Sequence, residues 1–132
     1  MKRQMIIGSI FTAGAVAMFA GLLWAADVKI AKEHAAEAVK HAKEMVSHGK
    51  AGHLDVLSEH AEEMINYAKT SVENLPEEDA HAEQANEHFE LAVAEAEEAM
   101  EHAGAGHGDV AVSHAEEALK HAEEAQSHLK GL

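Results

Sequence analysis

Two stretches decide the fold: HGKAGHLDVLSEHAEEM at residues 48–64 and HAGAGHGDVAVSHAEEA at residues 102–118. They align at an offset of 54 residues and share His, Ala-Gly-His, Asp-Val and His-Ala-Glu-Glu at matching places. In each, a break containing glycine precedes a run rich in Ala and Glu, which are good helix formers. The chain therefore contains an internal duplication, and each half is predicted to be a helix–turn–helix hairpin.

Three breaks in the sequence separate the predicted helices. Gly49 and Gly104 are expected to end helices in a left-handed conformation, and Pro76 is expected to begin the third helix, where its missing N–H costs nothing. Two hairpins of this kind predict an all-α protein, an antiparallel up-down four-helix bundle. The helices are predicted over residues 28–48, 54–74, 77–103 and 109–130.

The N-terminal segment has the organisation of an export signal. Lys2 and Arg3 precede a run from Met5 to Ala26 that contains no charged residue, which is typical of secretory signals. The run is also long enough to cross a bilayer as a helix, so residues 1–26 are interpreted as either a cleaved signal peptide or an uncleaved N-terminal anchor. In both cases residues 27–132, the second predicted domain, lie outside the cytoplasm.

The composition excludes several classes of function. The 132 residues carry a formal net charge of −14 and include no Cys. So acidic a chain is not expected to bind nucleic acid, since phosphate contacts need cationic side chains. Without Cys there are no disulfides, thiolate metal sites, iron–sulfur clusters or Cys nucleophiles. The chain does contain 12 His residues, which is an unusual enrichment.

The histidines keep one heptad register. Within each predicted helix they are separated by seven residues or a multiple of seven. Residues one and four positions after most of these histidines are apolar, and often the fifth is too, which places His at heptad position g, beside a buried stripe at positions a, d and e. The predicted metal ligands are all twelve: His34, His41, His48, His53, His60, His81, His88, His102, His107, His114, His121 and His128.

Antiparallel pairing makes the g positions of neighbouring helices face each other, so the histidines are predicted to form rungs across each hairpin. Histidines seven residues apart are separated by about 10.5 Å along the axis and cannot share an ion whose bonds are about 2 Å long. A site must therefore join His to His across a rung, His to Glu on one helix, or both. The rungs are His48/His53, His41/His60, His34/Tyr67, His102/His107, Glu95/His114, His88/His121 and His81/His128.

Carboxylates share the face that carries the histidines. Residues three or four apart lie on one side of a helix, and Glu recurs at these distances from His. Glu95 is predicted to complete a site from its place on a rung, and the other carboxylates from their distance to a His. The predicted carboxylate ligands are Glu37, Glu44, Glu63, Glu95, Glu117 and Glu124.

Twelve histidines in one register indicate a requirement for imidazole. Neutral imidazole suits Cu, Ni and Zn, and an acidic surface concentrates cations. The alternative is a pH-responsive structural or interaction protein in which the His ladder titrates. An enzyme is disfavoured, because the polar pattern is repetitive and follows the border of the helices, whereas di-iron bundles place their ligands in the core.

Residues from about 30 to 130 resemble the small metal-binding protein (SmbP) family of ammonia-oxidising bacteria. The resemblance rests on the seven-residue His repeat, on HGKAGH at 48–53, on the HAEEM and HAEEA that follow, and on EEALKHAEEAQSHL at 116–129. It implies a small periplasmic His-rich four-helix bundle that binds several divalent metals, copper prominently, and buffers or detoxifies them. Tyr67 and Glu95 replace ladder histidines and the loop around Pro76 is acidic, which implies fewer sites.

The sequence therefore predicts a monomeric binding protein for divalent transition metals. Cu²⁺ is the foremost expected ion because affinity for such sites peaks at Cu²⁺, and Ni²⁺, Zn²⁺ and Co²⁺ are further candidates. The expected role is metal buffering, scavenging, storage or detoxification in the periplasm, without enzymatic activity. Contact with the inner membrane is expected only through residues 1–26, if they are retained.

Overall fold

In the computed structural model the backbone is described for residues 14–132 and the side chains for Ala25 and residues 27–132. Consecutive helices pack side by side and antiparallel around a square, and the last closes back on the first. The predicted up-down four-helix bundle is thereby confirmed. The helices are α1 (Gly14–Lys50), α2 (Leu54–Glu73), α3 (Ala80–Gly104) and α4 (Gly108–Leu129).

The core follows the predicted heptad register. Residues at positions a and d are almost all buried, and those at position e are buried or pack half-buried against them. Most of these residues are alanines, which allow close approach of the helices. Among the described residues, the largest side chains that are fully buried are Met45, Leu57, Met64, Phe89 and Leu129. The histidines consequently lie along the borders of the core, as the register predicts.

The left-handed residues at the two hairpin turns are not those predicted. Positive φ angles occur at Gly52 (81°) and Gly106 (77°), two or three positions beyond the glycines expected in that role. Gly49 instead lies buried within α1. A Cβ at this position would lie 2.7 Å from Leu57 Cδ1 and 2.8 Å from Val112 Cγ2. Glycine at position 49 therefore lets Leu57 and Val112 pack closely against α1, and a larger residue would require both side chains to move.

Pro76 does not begin α3, contrary to the prediction. The helix begins at Ala80 and is capped by Asp79, whose carboxylate accepts hydrogen bonds from the backbone N–H groups of His81 at 2.7 Å and Ala82 at 3.2 Å. An Asp cap satisfies free amides and suits the positive end of the helix dipole. These interactions favour a helix start a few residues after the proline.

The predicted signal or anchor segment, residues 1–26, lies almost wholly outside the residues whose side chains are described. Among the described residues, no helix is both long and apolar enough to cross a membrane. The division of the chain at residue 26 therefore stays a prediction.

Candidate metal centre

Side chains from α1 and α2 interleave into one column of rings along the edge of the first hairpin. One heptad advances each helix by about 10.5 Å and contributes one ring from each, so successive rings should be about 5 Å apart. The observed centroid distances are 5.3–5.8 Å. The g positions therefore face each other as predicted, and most rings also contact a ring of the next rung. In order along the edge, the rings are His34, Tyr67, His41, His60, His48 and His53.

The second hairpin carries a similar column that Glu95 interrupts. Centroid distances between neighbouring rings are 5.3–5.7 Å. The two columns lie on opposite sides of the bundle, because the α1/α2 and α3/α4 interfaces are opposite sides of the square. The rings are His128, His88 and His121 on one side of Glu95, and His114, His102 and His107 on the other.

Within several rungs the two rings approach through their Nδ1 atoms. In the shortest of these contacts, between His41 and His60, one ring must donate and the other accept, so at least one of the two is a neutral imidazole. Neutral imidazole is the form that binds a metal ion. The Nδ1···Nδ1 distances are 3.0 Å for His41–His60 and 3.4 Å for both His88–His121 and His102–His107.

His41 is the histidine whose protonation is most clearly disfavoured. Burial lowers the pKa of His41, and repulsion from a protonated His60 lowers it further, against a smaller opposing effect of Glu63. His41 therefore remains neutral at pH values where a free imidazole would begin to take up a proton.

Three groups of side chains along the columns could hold a metal ion. In each, two imidazoles and one carboxylate offer ligand atoms that lie within 4.8 Å of one another. Ligands that share an ion through bonds of about 2 Å lie within about 4 Å of one another, a distance that small side-chain rotations would reach. Water could complete each shell. The groups are site 1 (Glu44, His48 and His60), site 2 (Glu98, His102 and His114) and site 3 (His88, His121 and Glu124).

Site 3 has the predicted arrangement, in which the two histidines of one rung are joined by a Glu from one of their helices. Glu124 Oε2 lies 3.1 Å from His88 Nδ1 and 3.2 Å from His121 Nδ1. The carboxylate thus already contacts both rings, and its side chain is 42% exposed. An ion would enter this site from solvent.

Sites 1 and 2 differ from the predicted arrangement, because each joins histidines of successive rungs. The rings of His48 and His60 stack at an interplanar angle of 17°, and those of His102 and His114 at 4°. The reason is the interleaving of the columns, which places a ring from one helix between two rings of its partner. Between helices, the prediction paired only residues directly opposite each other, and it therefore did not include these diagonal pairs.

Glu98 was not among the predicted ligands. It lies four residues before His102, just as Glu44 lies four residues before His48. All three members of site 1 recur in site 2 at the offset of the internal duplication. The signal for Glu98 was therefore present in the sequence, and applying the offset to every candidate residue would have found it.

Several predicted ligands have other contacts. Glu37 and Glu117 form ion pairs with Lys40 at 2.9 Å and Lys120 at 3.1 Å, and the lysine lowers the pKa of Glu37. The exposed ring of His81 lies against Gly131. As ligands these residues stay predictions, as do the others that lie outside the three sites: His34, His41, His53, Glu63, Glu95, His107 and His128.

Two imidazole nitrogens and one carboxylate oxygen form a donor set that suits divalent transition metals. The family model described as small metal-binding protein matches residues 8–125. The chain belongs to the small metal-binding protein family. The match includes all three sites and ends four residues before the end of α4, and it confirms the resemblance seen in the sequence. No match was found among curated proteins.

Proposed function

We propose that this protein binds several divalent transition-metal ions outside the cytoplasm, Cu²⁺ foremost, and holds them exchangeably. The observation that carries the proposal is the recurrence of two imidazoles and a carboxylate at sites 1, 2 and 3 in a member of a metal-binding family. Nitrogen and oxygen ligands of this kind bind Cu²⁺ more tightly than Ni²⁺, Zn²⁺ or Co²⁺.

Exposure of the sites supports a buffering or storage role rather than catalysis. In site 1 the side chain of His48 is 32% exposed and that of Glu44 is 47% exposed. Each site supplies only three protein ligands and opens to water, so an ion can enter and leave without movement of the helices. Catalytic metal centres, in contrast, combine an open coordination position with a dry, shaped cavity. Binding and release by a monomer in the periplasm is the activity proposed.

Calorimetric titration of the purified chain with Cu²⁺, Ni²⁺ and Zn²⁺ near neutral pH tests metal binding. We expect more than one ion per chain and a large loss when the four histidines of sites 1 and 2 are replaced by Gln. The helical circular dichroism signal should be unchanged, because these residues lie outside the core. Lys69→Gln, at an exposed position that is not among the predicted ligands, is the control. Failure of all three ions to bind would refute the proposal.

Export is tested separately by fusing residues 1–26 to alkaline phosphatase, which is active only outside the cytoplasm. We expect activity from this fusion, and loss of activity when the apolar run from Met5 to Ala26 is deleted. The size of the full chain in membrane and soluble fractions distinguishes a cleaved signal from a retained anchor. An inactive fusion would contradict export.

A further inference from the structure

Sites 1 and 2 contain equivalent ligands, but one histidine of each has a different partner. His114 Nδ1 lies 2.7 Å from Glu95 Oε2, whereas the equivalent His60 Nδ1 lies 3.0 Å from His41 Nδ1. The two partners occupy matching positions, since Glu95 follows His41 by the offset of the duplication. The duplicated sites thus contain the same types of ligand residue and differ in the residue that contacts Nδ1 of one ligand histidine.

The partner determines which nitrogen of the histidine is free to bind a metal. An ionised carboxylate can only accept a hydrogen bond, so His114 carries its proton on Nδ1 and presents an unprotonated Nε2. In metal sites, His commonly donates its second N–H to a carboxylate in this way. The contact is charge-assisted, and the side chains of His114 and Glu95 are only 29% and 32% exposed.

An imidazole partner can either donate or accept the hydrogen bond, so it does not fix which nitrogen of His60 carries the proton. When His41 donates and His60 accepts, the proton of neutral His60 is on Nε2, and that nitrogen cannot bind an ion. When His60 donates instead, its Nε2 is free. In site 1, His60 therefore has to adopt one of two tautomers before it binds a metal, whereas in site 2 Glu95 already fixes the tautomer of the equivalent His114.

We propose that Glu95 is a positioning residue that fixes His114 in the metal-binding tautomer, so that site 2 binds a divalent transition metal more tightly than site 1 and fills first. This inference rests on the proposed function. It also gives Glu95 a role different from that of direct ligand, because site 2 already contains Glu98 as its carboxylate. Removing such a partner typically lowers metal affinity about 10- to 100-fold.

Long-range ¹H–¹⁵N NMR of the metal-free full chain tests the positioning step without any metal. We expect His114 as the Nδ1–H tautomer alone and His60 as a mixture of both tautomers. Glu95→Ala should convert His114 to a mixture. Glu97→Ala, which removes a charge from an exposed position two residues along the same helix, should leave it unchanged. An Nε2–H tautomer of His114 in the unmodified chain would overturn the proposal.

Titration with Zn²⁺, followed by the same His signals, tests the consequence for affinity. Signals of His102 and His114 should respond before those of His48 and His60. Glu95→Ala should weaken site 2 about 10- to 100-fold, and Glu95→Gln should retain most of the affinity, because an amide oxygen accepts the same Nδ1–H.

Two outcomes would overturn the proposal. The first is that site 1 fills before site 2. The second is that Glu95→Gln and Glu95→Ala lower the Zn²⁺ affinity of site 2 equally, which would make Glu95 a direct ligand. If none of Zn²⁺, Cu²⁺ and Ni²⁺ binds, the proposed function fails and with it the order of filling. The metal-free tautomer measurement would still decide whether Glu95 positions His114, so the two failures are distinguishable.

Discussion

Replacing Gly49 by Ala should destabilise the bundle, although Ala is the better helix former. The added Cβ would lie 2.7 Å from Leu57 Cδ1 and 2.8 Å from Val112 Cγ2, so both neighbours would have to move. Helix propensity favours Ala over Gly by about 1 kcal/mol, whereas overpacking a core costs about 1–3 kcal/mol. The net effect should be a loss of up to about 2 kcal/mol.

Gly104→Ala provides the matched control. Gly104 also lies in a helix, and no atom outside its own helix backbone lies within 4 Å of an added Cβ. This variant should be neutral or gain up to about 1 kcal/mol. The difference between the two variants isolates the cost of overpacking, and urea unfolding followed by circular dichroism measures it as a shift of midpoint.

The second hairpin shows how the close contact can be relieved. Ala103 and Ala111 occupy the positions that Gly49 and Leu57 occupy in the first hairpin. Adding Leu57→Ala to Gly49→Ala copies that pair, so the combined loss should be smaller than the sum of the single losses. Equal stability of Gly49→Ala and Gly104→Ala would refute the reasoning, because close packing would then not require glycine.

Three further outcomes are expected. His48→Gln and His60→Gln should each weaken Zn²⁺ binding in calorimetry, and the double variant should lose little more, because both serve one ion; additive losses would place them in separate sites. Below pH 6.5, the ordinary His value, the metal-free protein should lose stability, because the folded state lowers the pKa of His41 and the unfolded chain takes up the proton first. The urea midpoint should therefore change less between about pH 7.5 and pH 5.5 in His41→Gln than in the unmodified protein. An equal change in both proteins would show that His41 does not cause the loss of stability. Tyr67→His with Thr70→Glu should copy site 3 into the first hairpin and raise the Zn²⁺ stoichiometry by one ion, whereas an unaltered stoichiometry would show that these side chains do not suffice.

The sequence was sufficient to predict which helices pair and which of their faces meet. A seven-residue spacing keeps a side chain on one face of a helix whatever the exact crossing angle, so the facing of His41 and His60 follows from numbering alone. The diagonal pairing of His48 with His60 does not, because it depends on side-chain reach and on the axial offset between two helices.

The ends of the helices were harder to predict because several local signals compete there. Pro76 and Asp79 are both suited to a helix start, and capping by Asp79 determines the outcome. In the sequence, Gly49 has the features of a residue that ends a helix. In the structure it allows close packing against Leu57 and against Val112 of α4, which is distant in the chain. A contact made by a distant helix leaves no local signal.

The rings lie along the edges of the bundle, and this placement affects how such a protein could change the number of metal ions that it binds. Each additional heptad in a hairpin lengthens the column by one rung while repeating the same Ala-rich layer beneath it. Loading could therefore grow with the length of the helices and would not require a wider core or a new pocket. Replacing a single residue of the column, as at Tyr67 or Glu95, would change metal binding at one rung and leave the packing of the core beneath it intact.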